Sequence, residues 1–103
     1  MNLVTYISAQ KAWSTRVFGE GPRVEGICKH IEKELKEVRA EPTEVVEWID
    51  IAILALDGAW RAGYTPLQIC AALIAKQDVN FNRKWESGKS QDEPMFHVSG
   101  ELK

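Results

Sequence analysis

Residues 31–62 read I-E-K-E-L-K-E-V-R-A-E-P-T-E-V-V-E-W-I-D-I-A-I-L-A-L-D-G-A-W-R-A, and this stretch decides the fold. Pro42-Thr43 divides it. The residue ahead of a proline is steered away from the helical region, and threonine is a good N-cap. The sequence therefore predicts a helix ending near Ala40, a tight turn, and a second helix beginning after Thr43. Glu37 lies five residues before Pro42 and Glu47 five after it; Glu34 lies eight before and Asp50 eight after. In an antiparallel helix hairpin, positions equidistant from the turn sit at similar heights. The i,i+3 spacing puts each pair on one helix face. Four carboxylates thus converge between two neighbouring helices.

Four like charges a few ångströms apart repel, the more so in a partly dry setting. A shared proton, a basic partner or a divalent cation would relieve them. Oxygen donors with no nearby cysteine or paired histidine suit Mg²⁺ or Mn²⁺ rather than zinc. A lone E-x-x-E is commonplace on helices and usually marks a solvated face. The second pair weighs against that bland reading. Glu47 and Asp50 lie in V-V-E-W-I-D-I-A-I-L-A-L, apolar nearly all round, which reads as a buried helix. Carboxylates are seldom buried there without a partner.

The 103 residues fit one domain, residues 1–103, with a modest core. With 45% apolar and 27% charged residues the chain reads as globular rather than disordered. Its net charge of −2, without a basic block, argues against a nucleic-acid-binding surface. Cys28 and Cys70 fall inside apolar helical stripes and read as buried free thiols. No signal peptide and no apolar run of membrane-spanning length is evident, so a cytoplasmic protein with no membrane partner is expected.

Residues 3–18 suit a first helix, with Leu3, Val4, Ile7, Ala9, Trp13, Val17 and Phe18 as its apolar positions. G-E-G-P-R, residues 19–23, is a turn. In the second helix Val24, Ile27, Cys28, Ile31, Leu35 and Val38 form an apolar stripe. His30, Glu34, Glu37 and Glu41 make a polar ridge on its flank. The third helix, about 44–62, is stopped by Gly63. Asp57 returns to nearly the angular position of Asp50, two turns on. It either reaches a ligand bound above the carboxylates or pairs with Arg61 at i,i+4. Trp48 and Trp60 read as core or subunit-contact residues. Thr65 as N-cap and Pro66 at the first position open a fourth helix that runs to about Trp85. Ile69, Ala72 and Leu73 are its core face, and Lys76, Asn80 and Arg83 extend that stripe. Those three polar residues face either something anionic (the acidic cluster or a phosphorylated ligand) or solvent at a helix end, where the dipole favours cations. A polar loop from Glu86 and a short apolar tail, Met95 to Val98, close the chain.

Glu34-x-x-Glu37, Glu47-x-x-Asp50 and Lys76-x-x-x-Asn80-x-x-Arg83-x-Trp85, in that order, resemble the MazG-like all-α nucleoside triphosphate pyrophosphohydrolase superfamily. The likeness is closer to its phage and bacterial dATP/dGTP diphosphohydrolase branch, which includes the MazZ type. W-S-T-R-V-F-G-E-G-P-R, H-I-E-K-E-L-K-E, E-W-I-D-I-A-I-L-A-L-D-G-A-W-R-A-G and the closing F-H-V carry that flavour. The resemblance covers residues 10–98. It implies an all-α four-helix bundle with a short extended C-terminal tail, assembled as a homodimer or homotetramer. It also implies cleavage of a purine nucleoside triphosphate between the α- and β-phosphates, with Mg²⁺, or Mn²⁺ in its place. By motif, Glu34, Glu37, Glu47 and Asp50 would be the metal ligands, and Lys76, Asn80 and Arg83 the phosphate-contacting residues. Two departures touch the outer shell: Lys33 stands where many members carry a further glutamate, and the connection between the two acidic motifs is short.

In that reading Glu34 or Glu37 takes the proton of the attacking water, and Lys76 and Arg83 stabilise the leaving pyrophosphate. Asp57, about 10 Å beyond Asp50 at 1.5 Å per residue, suits the N1–H and 2-amino donors of guanine better than adenine. The competing reading is a non-catalytic helical interaction module whose acidic ridge docks a basic partner. It predicts no metal dependence.

Overall fold

The computed structural model describes residues 1–85 and 91–98. Its element order is α1 (Leu3–Phe18), α2 (Val24–Ala40), α3 (Val45–Arg61) and α4 (Pro66–Asn82). The chain divides into two compact units, Met1–Cys70 and Ala71–Lys103, and the division falls inside α4.

In the first unit, α2 packs along α3 and α1 packs against α3. The α1–α3 register follows from two bonds. Gln10 Nε2 donates to Ile53 O at 2.8 Å, and Ser14 Oγ donates to Asp57 at 2.6 Å. Each partner is four residues further along both helices, so α1 and α3 run parallel. Ile7, Trp60 and Ile69 are buried together, with Tyr6, Leu56, Ala59 and Cys70 packed against them. Burying side chains of this size stabilises by roughly 1.5–3 kcal/mol each.

The helix ends have identifiable causes. Asn2 caps α1 by accepting from Thr5 N at 2.9 Å. Gly19 and Gly21 hold φ of 90° and 87° in the α1–α2 turn, where side chains would strain the backbone. Gly63, at φ 107°, ends α3 just past Ala62. Thr65 and Gln68 form a reciprocal capping box at the start of α4: Gln68 N donates to Thr65 Oγ1 at 3.1 Å, and Thr65 N to Gln68 Oε1 at 2.9 Å.

Thr43, expected as the N-cap of α3, is not. Backbone bonds from Glu44 N to Glu41 O and from Glu47 N to Glu44 O close this turn, so Thr43 is spent within it and Glu44 takes the cap position without a side-chain bond. Nor is α3 buried all round. Val45, Val46, Trp48 and Ile49 are exposed, because α1 and α2 cover only part of its circumference. Trp60 is core as expected, whereas Trp48 is 54% exposed and donates to Pro42 O. Cys28 is exposed rather than buried, as α2 buries Ile27, Glu34 and Val38 and leaves the neighbouring thiol open; Cys70 is half-buried, and both thiols are free.

In the second unit, α4 ends at Asn82 rather than near Trp85. Trp85 turns back to donate its Nε1–H to Asn80 O at 3.0 Å. The apolar tail docks as a single antiparallel bridge between Trp85 and His97, with Val98 N bonded to Lys84 O at 2.7 Å. Ala72 and Leu73, expected on a core face, are exposed, while Ile69 is buried. Residues 86–90, the first part of the expected loop, lie outside the described residues.

Candidate metal centre

The α2–α3 hairpin brings Glu34, Glu37, Glu47 and Asp50 together. One carboxylate oxygen from each lies within 4.8 Å of all the others. Glu34 is 5% exposed, and the other three are half-buried. The equal offsets about Pro42 and the antiparallel pairing are enough to produce this arrangement.

Its charge is poorly balanced by protein. His30 Nε2 lies 3.2 Å from Glu34 Oε1, and Lys33 Nζ lies 4.0 Å from Glu34 Oε1 and 3.8 Å from Glu37 Oε1. His30 and Lys33 both stand at the exposed edge of the cluster, one lysine charge against four carboxylates. Glu34 is pushed above its ordinary 4.5, first by a hydrogen bond with Glu37 that favours the protonated acid, then by burial and the charges of Glu37 and Asp50. Glu47 is also raised, first by burial and then by its hydrogen bond with Glu37. Glu34 Oε2 and Glu47 Oε2 are buried with no hydrogen-bond partner among the described residues. Unpartnered carboxylate oxygens in so tight a cluster are what a divalent cation with oxygen coordination would satisfy, so the donor set fits such an ion.

Beside the cluster opens a cleft of about 250 Å³. Glu34 and Asp50 line it at the acidic end, and Gln10, Trp13, Phe18 and Arg23 are among its other walls. Trp13 and Phe18 meet edge to face at 5.6 Å, and the Arg23 guanidinium lies 4.8 Å over the Phe18 ring. An acidic rim joined to an aromatic wall can hold a ligand that is charged at one end and flat at the other.

Asp57 lines the same cleft but is committed to protein donors. Arg61 Nε donates to Oδ1 and Ser14 Oγ to Oδ2. The Arg61 side chain is 2% exposed; it also donates to Gly19 O at 2.8 Å, Gly21 O at 2.9 Å and Ser14 Oγ at 3.0 Å. This guanidinium ties the α1–α2 turn to α1 and α3, and so holds Phe18 and Arg23 in the cleft wall. Of the two roles the spacing left open for Asp57, the Arg61 pair is present. In the second unit, Arg83 Nη1 donates to Asn80 Oδ1 at 3.2 Å, and Lys76 is exposed.

Sequence reading missed Gln10 and Ser14, both buried, and the cleft wall built by Trp13, Phe18 and Arg23. A signal was present: Ile7, Gln10 and Ser14 stand at i, i+3 and i+7, the spacing of a core-facing stripe.

The same fold occurs in a protein of known structure. The structure superposes on the cyanophage S-2L MazG-like pyrophosphohydrolase, solved with dGDP and three catalytic Mn²⁺ ions per active site. The TM-score is 0.75 with 25% sequence identity, over 98% of this chain and 96% of that one. The all-α, four-helix MazG-like fold expected from the sequence is thus the fold observed. The chain is also 37% identical over 87 residues to the Eaa protein of Salmonella phage P22. The match takes in 84% of this chain but 26% of that protein, so the chain spans about a quarter of the relative's length. Residues 6–101 match the dATP/dGTP pyrophosphohydrolase family, and the chain belongs to that family.

Proposed function

We propose that this chain, as one domain over residues 1–103, is a divalent-metal-dependent pyrophosphohydrolase. It would convert dGTP or dATP to the deoxynucleoside monophosphate and pyrophosphate. The observation that carries the reading is the carboxylate quartet, converged within 4.8 Å, with two buried oxygens unpartnered, at the mouth of an aromatic-walled cleft. Family membership and the dGDP and Mn²⁺ bound by the cyanophage protein support it.

Glu34, Glu37, Glu47 and Asp50 hold Mg²⁺ or Mn²⁺ in this reading. The bound ions supply Lewis acidity and positive charge at the triphosphate. Glu34 or Glu37 takes the proton from the attacking water as its oxygen bonds to the α-phosphorus. The bond from that phosphorus to the α–β bridging oxygen breaks, and the bridging oxygen leaves with pyrophosphate. The sequence resemblance assigns Lys76, Asn80 and Arg83 to the phosphates. The Trp13–Phe18 wall shelters the base from water. Asp57, through Arg61, keeps that wall in place.

A second copy of the chain is the natural cover for Val45, Val46, Trp48 and Ile49, and we propose a homodimer or homotetramer on that basis. Sedimentation as a compact monomer at micromolar concentration would exclude this. The activity is tested by a nucleotide panel with Mg²⁺ or Mn²⁺, scored for pyrophosphate. Pyrophosphate from dGTP or dATP, lost on chelation, is the expected result. Orthophosphate appearing directly, or no metal dependence, would overturn the reading.

A further inference from the structure

The cleft holds a polar group that the metal-centred reading leaves unused. Gln10 is 7% exposed and lines the α1 wall of the cleft. Its Nε2 donates to Ile53 O of α3 at 2.8 Å. That bond orients the amide, because the opposite placement would set two acceptor oxygens face to face at that distance. Oε1 is therefore an acceptor, and it is buried with no hydrogen-bond partner among the described residues. Native structures seldom tolerate such an atom unless something outside the protein chain satisfies it.

Among the described residues, two that line the cleft carry a buried, unpartnered acceptor. They are Glu34 at the carboxylate cluster and Gln10 on the α1 wall. The first belongs with the metal; the second is on the α1 wall, which also carries Trp13. Asp57, the other acceptor on this seam, already receives Ser14 Oγ and Arg61 Nε. We propose that Gln10 is the base-reading residue. Its Oε1 accepts a hydrogen bond from the exocyclic amino group of a purine whose phosphates lie at the carboxylate cluster. This inference rests on the nucleotide reading above and names the group that selects the base.

Hypoxanthine lacks the amino group of both guanine and adenine, so dITP is the discriminating substrate. The experiment measures kcat/KM for dGTP, dATP and dITP with Mn²⁺ on the wild type, Gln10→Met and Gln10→Glu. The wild type is expected to use its better amino purine at least about tenfold more efficiently than dITP. Gln10→Met, of similar volume but without the oxygen, should bring that ratio to about twofold or less. Gln10→Glu keeps an acceptor oxygen but loses the donor to Ile53 O, so it should lower all three rates while retaining the ratio. The ratio is internal to each preparation, so partial unfolding lowers both rates and leaves it unchanged. Equal losses on all three substrates in Gln10→Met would make Gln10 only a tie between α1 and α3 and overturn the proposal. So would a wild type indifferent to dITP. A wild type that releases pyrophosphate from none of the three overturns the nucleotide reading itself, and this inference with it.

Discussion

Asp50 and Asp57 stand seven residues apart on α3, on nearly the same face, in opposite electrostatic situations. Asp57 is buried and fully partnered by Ser14 and Arg61. Asp50 sits among three further carboxylates, with Lys33 at the cluster's exposed edge. A buried acid with a protein cation is finished as a structural element. A group of four acids with one lysine at its edge is unfinished until something cationic arrives. The contrast separates the part of α3 that holds the fold from the part that meets a ligand, two turns away on one helix.

The largest test of that contrast is Asp50→Asn. Pyrophosphate release should fall about a thousandfold, about 4 kcal/mol in barrier, while the melting temperature of the metal-free protein does not drop. Glu37→Gln should behave alike. Near-normal turnover in both variants would make the quartet structural, and the distinction between the two acids would vanish. Arg61→Met should do the reverse. Leaving Asp57 buried without its cation should cost about 3–5 kcal/mol of stability, read as a denaturation midpoint, and the α1–α2 turn loses its anchor. A loss under about 1 kcal/mol would mean that the pair is not needed for the fold.

Metal and pH sharpen the comparison further. Glu34 and Glu47 have raised pKa values in the folded, metal-free chain. Above 4.5 the unfolded chain has released protons that the folded chain still holds, so metal-free stability should fall as pH rises from about 5 through the raised values. Below 4.5 both states are protonated and this contribution levels off. Mn²⁺ needs the deprotonated acids, so saturating metal should reverse the slope. A hundredfold excess over Kd should add about 2.7 kcal/mol. Thermal melts of wild type and Glu34→Gln across pH 5–7, with and without Mn²⁺, check this. The idea fails if the metal-free slope is the same in both. The smallest expected effect is that of Ser14→Ala, about 1–2 kcal/mol, because Asp57 keeps Arg61 when the hydroxyl bond is lost. A loss as large as that of Arg61→Met would mean that the serine, not the arginine, holds Asp57.

The sequence by itself determined what depends on local spacing. Helix spans follow from apolar periodicity, Pro42, Gly63 and the Thr65-Pro66 start of α4. The carboxylate quartet follows from equal offsets about one turn. None of these needs knowledge of a distant residue. Tertiary structure alone decided the rest. Asp57 was open to a ligand or to Arg61, and contacts from Ser14, Gly19 and Gly21, about forty residues away, give the guanidinium its place. Gln10 and Ser14 look like surface residues to a count of apolar positions. They are buried because the parallel register of α1 against α3 sets an amide opposite a carbonyl and a hydroxyl opposite a carboxylate. Cys28 and the first turns of α3 read as core, yet they stay exposed because too few neighbours pack around them. Periodicity tells which face of a helix prefers burial, but the packing of the other helices determines which faces are covered.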